Sequence, residues 1–167
     1  MLRKGKSHLR VNEKHRDLKL SDIFDLKSFT PMLIADEKPP FDDPDWLYEL
    51  KLDGVRCFAY LSPGETVLRD KRNADKIDIF PELKDMHKQI VGKKRYLLDG
   101  EIFYGLGKKD DFMEAHRRAL TKNTFKIQLA SQKTPVSFMA YDILYKDQDI
   151  SKLNLLERKQ ILQKSVK

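Results

Sequence analysis

The 167-residue sequence predicts an α+β fold, mainly antiparallel sheet with flanking helices. Short runs of strand character follow one another across tight connections at Gly54 and at Ser62-Pro63-Gly64-Glu65, as in hairpins. After them Phe80, Leu83, Met86 and Ile90 recur at helical spacing, and a late apolar run, Val136–Tyr145, reads as strand again. Hydrophobic residues make up 40% of the chain, enough for a core.

Taken in order, residues 1–20 are polar, charged and weakly periodic. Arg3, Lys4, Lys6, Arg10, Lys14, Arg16 and Lys19 are opposed there only by Glu13 and Asp17, which accounts for most of the formal net charge of +7. A basic arm over residues 1–29 attracts polyanions without reading their sequence; a solvated linker is the alternative. Ser21 is placed to cap a short helix through Leu26. Lys38-Pro39-Pro40-Phe41-Asp42-Asp43-Pro44 is a proline-punctuated connection that excludes a helix.

Trp46–Asp53, Arg56–Leu61 and Thr66–Arg69 are expected as three consecutive strands. A helix is expected around Phe80–Ile90, with Pro81 tolerated in its first turn. Tyr96–Tyr104 is a further strand, a helix runs from Asp111 to about Leu120, and Val136–Tyr145 suits a strand buried on both faces. Asn154-Leu155-Leu156-Glu157 is a capping box for a terminal helix carrying Leu155, Leu162 and Val166 on one side.

Cys57 is the only cysteine, which excludes an internal disulfide and a multi-cysteine zinc site and makes a reducing, cytoplasmic setting the expectation. No apolar run approaches the ~20 residues of a membrane span. The four histidines lack metal-ligand spacing.

The stretch richest in chemistry is Glu49-Leu50-Lys51-Leu52-Asp53-Gly54-Val55-Arg56. A Glu-x-Lys-x-Asp-Gly-x-Arg pattern arises by chance in about one chain in ten thousand of this length. On a strand, Glu49, Lys51 and Asp53 share one face and Tyr48, Leu50 and Leu52 the other. Lys51 becomes a nucleophile only if it loses its proton, which burial or nearby cations promote; Glu49 and Asp53 oppose that, and Arg56 is a candidate cation. Asp99-Gly100-Glu101 puts two carboxylates on one face of a second strand, suited to a ribose hydroxyl or Mg2+. Arg72, in Lys71-Arg72-Asn73, is placed to grip a phosphate or ribose. Tyr141 offers a ring for stacking on a base, or packs as a core aromatic.

In this order these segments resemble the adenylation domain of the ATP-dependent DNA ligases, within the covalent nucleotidyltransferases. Pro31-Met32-Leu33 and Phe41–Trp46 leading into Glu49–Arg56 are similar to the bacterial end-joining ligases in particular. Asp99-Gly100-Glu101, Lys71-Arg72-Asn73, the Phe112 to Arg118 helix and Tyr141-Asp142-Ile143-Leu144-Tyr145 match further family motifs. The resemblance covers roughly residues 30–165. It implies that Lys51 attacks the α-phosphate of ATP to form lysyl-AMP, that Glu49 helps recognise adenine, and that Arg56 and Arg72 hold ribose or phosphate. It further implies that Asp53 and Gly54 belong to the nucleotide site, that Glu101 holds the ribose or a metal, and that Tyr141 stacks on the base. The implied cofactors are ATP and Mg2+ (or Mn2+). The implied partner is nicked or broken double-stranded DNA, whose 5′-phosphate receives the AMP before the 3′-hydroxyl displaces it.

Lys71 stands where the family usually has serine, and no Glu-Gly or Lys-x-Lys motif follows Tyr145. Residues 30–167 are therefore expected to be the N-terminal portion of the domain, with weak or no activity alone, lacking its last motifs and an OB-fold, in a bacterial or phage-like setting. Two other functions remain open on the residues alone. One is an RNA ligase or mRNA-capping guanylyltransferase, separable by labelling with GTP or sealing of RNA. The other is a non-catalytic nucleic-acid-binding module that depends on the basic arm.

Overall fold

The computed structural model describes residues 22–33, 39, 41–105 and 109–166, so the basic arm through Leu20, the Ser21 cap, Lys38, Pro40 and the side chain of Phe112 lie outside the described residues. Its centre is a four-stranded sheet in the order β2-β1-β3-β4, antiparallel throughout: β1 Val55–Ser62, β2 Glu65–Asp70, β3 Tyr96–Phe103 and β4 Ser137–Lys146. Among the described residues four α-helices flank it: α1 Asp22–Leu26, α2 Lys109–Ala119, α3 Thr124–Lys133 and α4 Leu155–Gln163. This is the α+β arrangement the sequence predicts. The β1–β2 connection is closed by Pro63 and Gly64, and Gly64 sits at φ +88°, where a side chain is strained.

Register sorts the side chains onto two faces. Cys57, Ala59 and Leu61 of β1 lie opposite Gly100, Leu98 and Tyr96 of β3, and this face carries the main core. Phe80, Leu83, Met86, Ile90 and Leu162 cover it. Arg56, Phe58 and Tyr60 lie opposite Glu101, Asp99 and Leu97 on the other face. There α1 contributes the buried Phe24, which packs on Tyr60 and Tyr145 with ring centroids 5.7 and 5.5 Å apart. Residues 22–29, included in the expected arm, thus belong to the packed body. That second face is apolar towards Tyr60 and charged towards Arg56, and the charged end forms the candidate site.

Several expectations are corrected. Residues 46–53 form no strand, and among the described residues no strand pairs with them. Both ladders of β1 are already taken by β2 and β3. Leu50, expected to point into a core, is 85% exposed. The helix expected over Phe80–Ile90 is instead two short 3-10 turns, Pro81–Leu83 and Met86–Gln89. The His87 amide, which an α-helix would aim at a carbonyl one turn back, donates to Thr66 Oγ1 of β2 at 3.1 Å. The helical spacing still puts all four apolar side chains inward. Helix α3 was not anticipated; its local signal is Asn123, whose side chain accepts from the Lys126 amide at 2.9 Å. β4 is buried on both faces only over Ile143–Tyr145. The α4 capping box forms as expected, yet of Leu155, Leu162 and Val166 only Leu162 is buried.

Candidate nucleotide site

The site is best built outward from Asp99. This carboxylate is buried on β3 and accepts a two-pronged bond from Arg56 of β1, 3.1 Å from Nε and 2.6 Å from a terminal nitrogen. Planar guanidinium and carboxylate match in this geometry, and their partial burial strengthens the pair. Burial alone would weaken the Arg56 charge, but Asp99 more than compensates. The remaining Arg56 nitrogen donates to the Met32 carbonyl at 2.8 Å, which draws the Pro31-Met32-Leu33 segment to the site. The guanidinium also lies 5.7 Å from the Tyr141 ring centre. Asp99, expected with Glu101 as a carboxylate for ribose or Mg2+, is instead the organising acid that orients Arg56.

Tyr141 reaches this cluster through a break in register. Asp99 faces Asp142 and Gly100 faces Ala140, so Tyr141 is an extra residue on β4 with no opposite number on β3. Such a bulge re-aims side chains, here towards Arg56 and Asp99. Burial, and then the Asp99 charge, push the phenol well above its ordinary range, so it stays a neutral ring. Gly100 permits the approach: a Cβ there would lie 2.4 Å from the Met139 carbonyl oxygen and from the Phe138 ring.

Glu101 lies beside this cluster. Burial pushes its carboxyl up to about 7, against the lowering influence of Arg56, the Gly54 amide and Lys51. A raised carboxyl means the folded chain holds its proton more tightly than the unfolded chain does. Its stabilising effect is complete below about pH 4.5, the ordinary value, and is lost as pH rises through about 7. Glu101→Gln is therefore expected to be more stable than wild type at pH 8 and indistinguishable near pH 4.5. Because solvent partly screens the group, the difference is about 1–2 kcal/mol. Urea unfolding at the two pH values measures it, and equal stability at pH 8 would contradict the assignment.

Gly54 is pinned against β3. A Cβ at this position would lie 2.1 Å from the Ile102 carbonyl oxygen and 3.2 Å from Cγ of Glu101. Gly54→Ala is expected to cost about 1–3 kcal/mol by forcing the backbone apart, and a thermal melt unchanged within a degree would exclude this close packing.

The amine expected on a pocket wall stands in solvent. Lys51 is 80% exposed in its side chain and pairs with the exposed Asp53. The hydrogen bond and charge of Asp53 hold the amine above its ordinary value, with Glu101 adding to the effect. The alternation expected to align Glu49, Lys51 and Asp53 fails because the segment is not in a ladder. Glu49 instead contacts Lys159 of α4. Arg72 is exposed in the turn after β2, where its amide donates to Asp70 Oδ1 at 2.8 Å. It lies at the Arg56 end of the sheet but makes no side-chain hydrogen bond with that cluster. The fold therefore gathers Arg56, Asp99, Glu101 and Tyr141, brings Gly54 and Lys51 alongside, and leaves Arg72 apart.

No group of three or more histidine, cysteine or acidic side chains is arranged for a metal among the described residues. Asp99 is occupied by Arg56, so Glu101 is one oxygen donor. That fits Mg2+ only in its usual mode, with one or two carboxylates and the rest of its shell from phosphates and water. Glu49, Leu50, Leu52, Tyr141 and Lys159 are among the residues that line a groove of about 820 Å3. No helix among the described residues is long and apolar enough to cross a membrane.

Residues 31–167 match the ATP dependent DNA ligase domain. The chain is 30% identical over 145 residues to the bifunctional non-homologous end joining protein LigD of Bacillus subtilis, covering 83% of this chain and 24% of that protein. It is 30% identical over 135 residues to the SPbeta prophage-derived DNA ligase-like protein LigB of the same organism, covering 80% of this chain and 46% of the relative. Mycobacterial DNA ligase D, solved with ATP and MES, aligns over 69% of this chain and 35% of its own at 22% identity and a TM-score of 0.48. The chain thus spans less than half the length of these relatives, and it belongs to the ATP-dependent DNA ligase domain family.

Proposed function

We propose that this chain supplies the nucleotide-binding part of an ATP-dependent DNA ligase. The observation that carries the reading is the Arg56–Asp99–Glu101–Tyr141 cluster with Lys51 at its edge. An arginine, a buried acid that orients it, a neutral aromatic ring and a near-neutral carboxyl are the groups a ribonucleotide calls for. Tyr141 stacks on adenine, and Arg56 and Glu101 bind ribose or phosphate oxygens. Glu49, Asp53, Gly54 and Arg72 complete the site when nucleotide is bound.

Nζ of Lys51 attacks the α-phosphorus of ATP, the bond to the β-phosphate oxygen breaks, and pyrophosphate leaves. The amine must first give up the proton that Asp53 helps it keep, so the Lys51–Asp53 pair is the resting form of the site. Mg2+, when bound, neutralises phosphate charge, and Glu101 is the residue that would hold it. The AMP then passes to a DNA 5′-phosphate, and the 3′-hydroxyl displaces it to close the backbone, as in strand-break repair. Residues 30–167, with the packed residues 22–29, form part of the nucleotidyltransferase domain, preceded by the basic segment, in an intracellular protein.

The test is incubation of the protein carrying residues 1–167 with α-labelled ATP and Mg2+, followed by peptide mapping and a nicked-DNA sealing assay. An acid-labile AMP on the Lys51 peptide is expected, with ATP preferred over GTP. Absence of that label, or sealing of RNA alone, overturns the reading.

A further inference from the structure

Residues 47–53, which carry Glu49 and Lys51, have no ladder to hold them against the body. A side-chain tether takes its place. The Lys159 ammonium contacts both the Glu49 carboxylate and the Tyr141 backbone carbonyl. It is only 22% exposed, whereas Glu49 is 45% exposed. Partial withdrawal from water makes such a charge-assisted contact worth more than an ordinary surface pair.

The position of Lys159 is itself fixed. The preceding residue, Arg158, grips Asp142 of β4 through two bonds of 2.8 Å each, and the Asn154–Glu157 capping box secures the start of α4. Successive residues of α4 therefore engage successive residues of β4, Arg158 with Asp142 and Lys159 with Tyr141. Tyr141 is the bulge residue without an opposite number on β3, and its carbonyl faces the ammonium. One cation thus ties the strand that presents the stacking ring to the segment that presents Glu49 and the nucleophile.

We propose that Lys159 is a positioning residue for nucleotide recognition, acting through Glu49 to hold residues 49–51 at a set distance from the Tyr141 ring. This inference rests on the adenylation reading for its functional consequence, but the tether itself does not. Loss of Lys159 lets Glu49 drift from the base-binding edge, which weakens adenine binding and its discrimination from guanine.

Two measurements on the full chain decide it. Binding of AMP and GMP, by displacement of a fluorescent ATP analogue, is compared in wild type, Lys159→Met, Lys159→Arg, Glu49→Ala and the Lys159→Met/Glu49→Ala pair. Lys159→Met is expected to lower AMP affinity about tenfold with a smaller loss for GMP, about 1.4 kcal/mol for AMP. Lys159→Arg should stay within about threefold of wild type, and the paired variant should be no weaker than Glu49→Ala alone. Anisotropy of Trp46, the single tryptophan, should fall equally in Lys159→Met and Glu49→Ala while the melting temperature holds. AMP affinity within twofold of wild type in Lys159→Met, additive losses in the paired variant, or equal loss for AMP and GMP tracking a fallen melting temperature each overturn the proposal. If wild type binds neither nucleotide, the adenylation reading and the functional role of Lys159 fail together; unchanged Trp46 anisotropy in Lys159→Met refutes the tether by itself.

Discussion

Arg118→Met is expected to destabilise the chain by about 3–5 kcal/mol, a large share of the roughly 5–15 kcal/mol that holds a domain folded. Arg118 is 3% exposed at the end of α2. Its guanidinium forks onto Glu82, donates to the carbonyls of Ile79 and Thr134 at 3.2 Å each, and lies 5.2 Å from the Phe80 ring centre. Glu82 also accepts the Val136 amide at 3.0 Å. This one pair therefore joins the Pro81–Leu83 turn, α2, the end of α3 and the entry to β4. Methionine fills a similar volume, so the loss is chiefly the largely covered Glu82 carboxylate left without its charged partner. It follows that Glu82→Met/Arg118→Met should be less damaged than Arg118→Met, since an apolar pair in place of a buried ion pair is often near neutral. Urea unfolding of the three variants measures this. A single-variant loss under 1 kcal/mol, or a pair worse than the single, would show that the ion pair is dispensable.

Lys51→Arg is expected to abolish covalent AMP transfer, at least a thousandfold below wild type, while leaving nucleotide binding within a few-fold. Arginine keeps the positive charge and the pairing with Asp53, so attraction to a triphosphate survives. A guanidinium does not deprotonate in proteins and has no nucleophilic lone pair to offer phosphorus. Charge and nucleophilicity are thereby separated at one position. Measured on the protein carrying residues 1–167 by α-labelled ATP, label persisting on another residue in the variant would move the nucleophile elsewhere. Loss of binding in parallel with loss of label would instead make Lys51 a phosphate ligand only.

These two residues also show how far the primary structure reaches. The pattern around Lys51 stood out because it is a matter of local order: a lysine two residues before Asp53 and five before Arg56 is rare whatever the fold. The hairpin of β1 and β2, the capping box of Asn154 and Glu157, and the α+β class were legible for a similar reason. Turn chemistry, caps and side-chain period act over a few residues.

The partners of those residues were not. Arg56 meets Asp99 43 positions away, Lys159 meets Glu49 110 away, and Arg118 meets Glu82 36 away. No local pattern encodes a contact between elements brought together by strand pairing. The failure of the strand at 46–53 has the same origin, because alternation specifies which face a side chain would take but not whether a neighbouring strand exists to hold the ladder. Local sequence thus determined the chemical inventory and the β1–β2 hairpin. Tertiary structure decided which charges meet, since ion pairing and burial depend on distances through space that only the folded sheet sets.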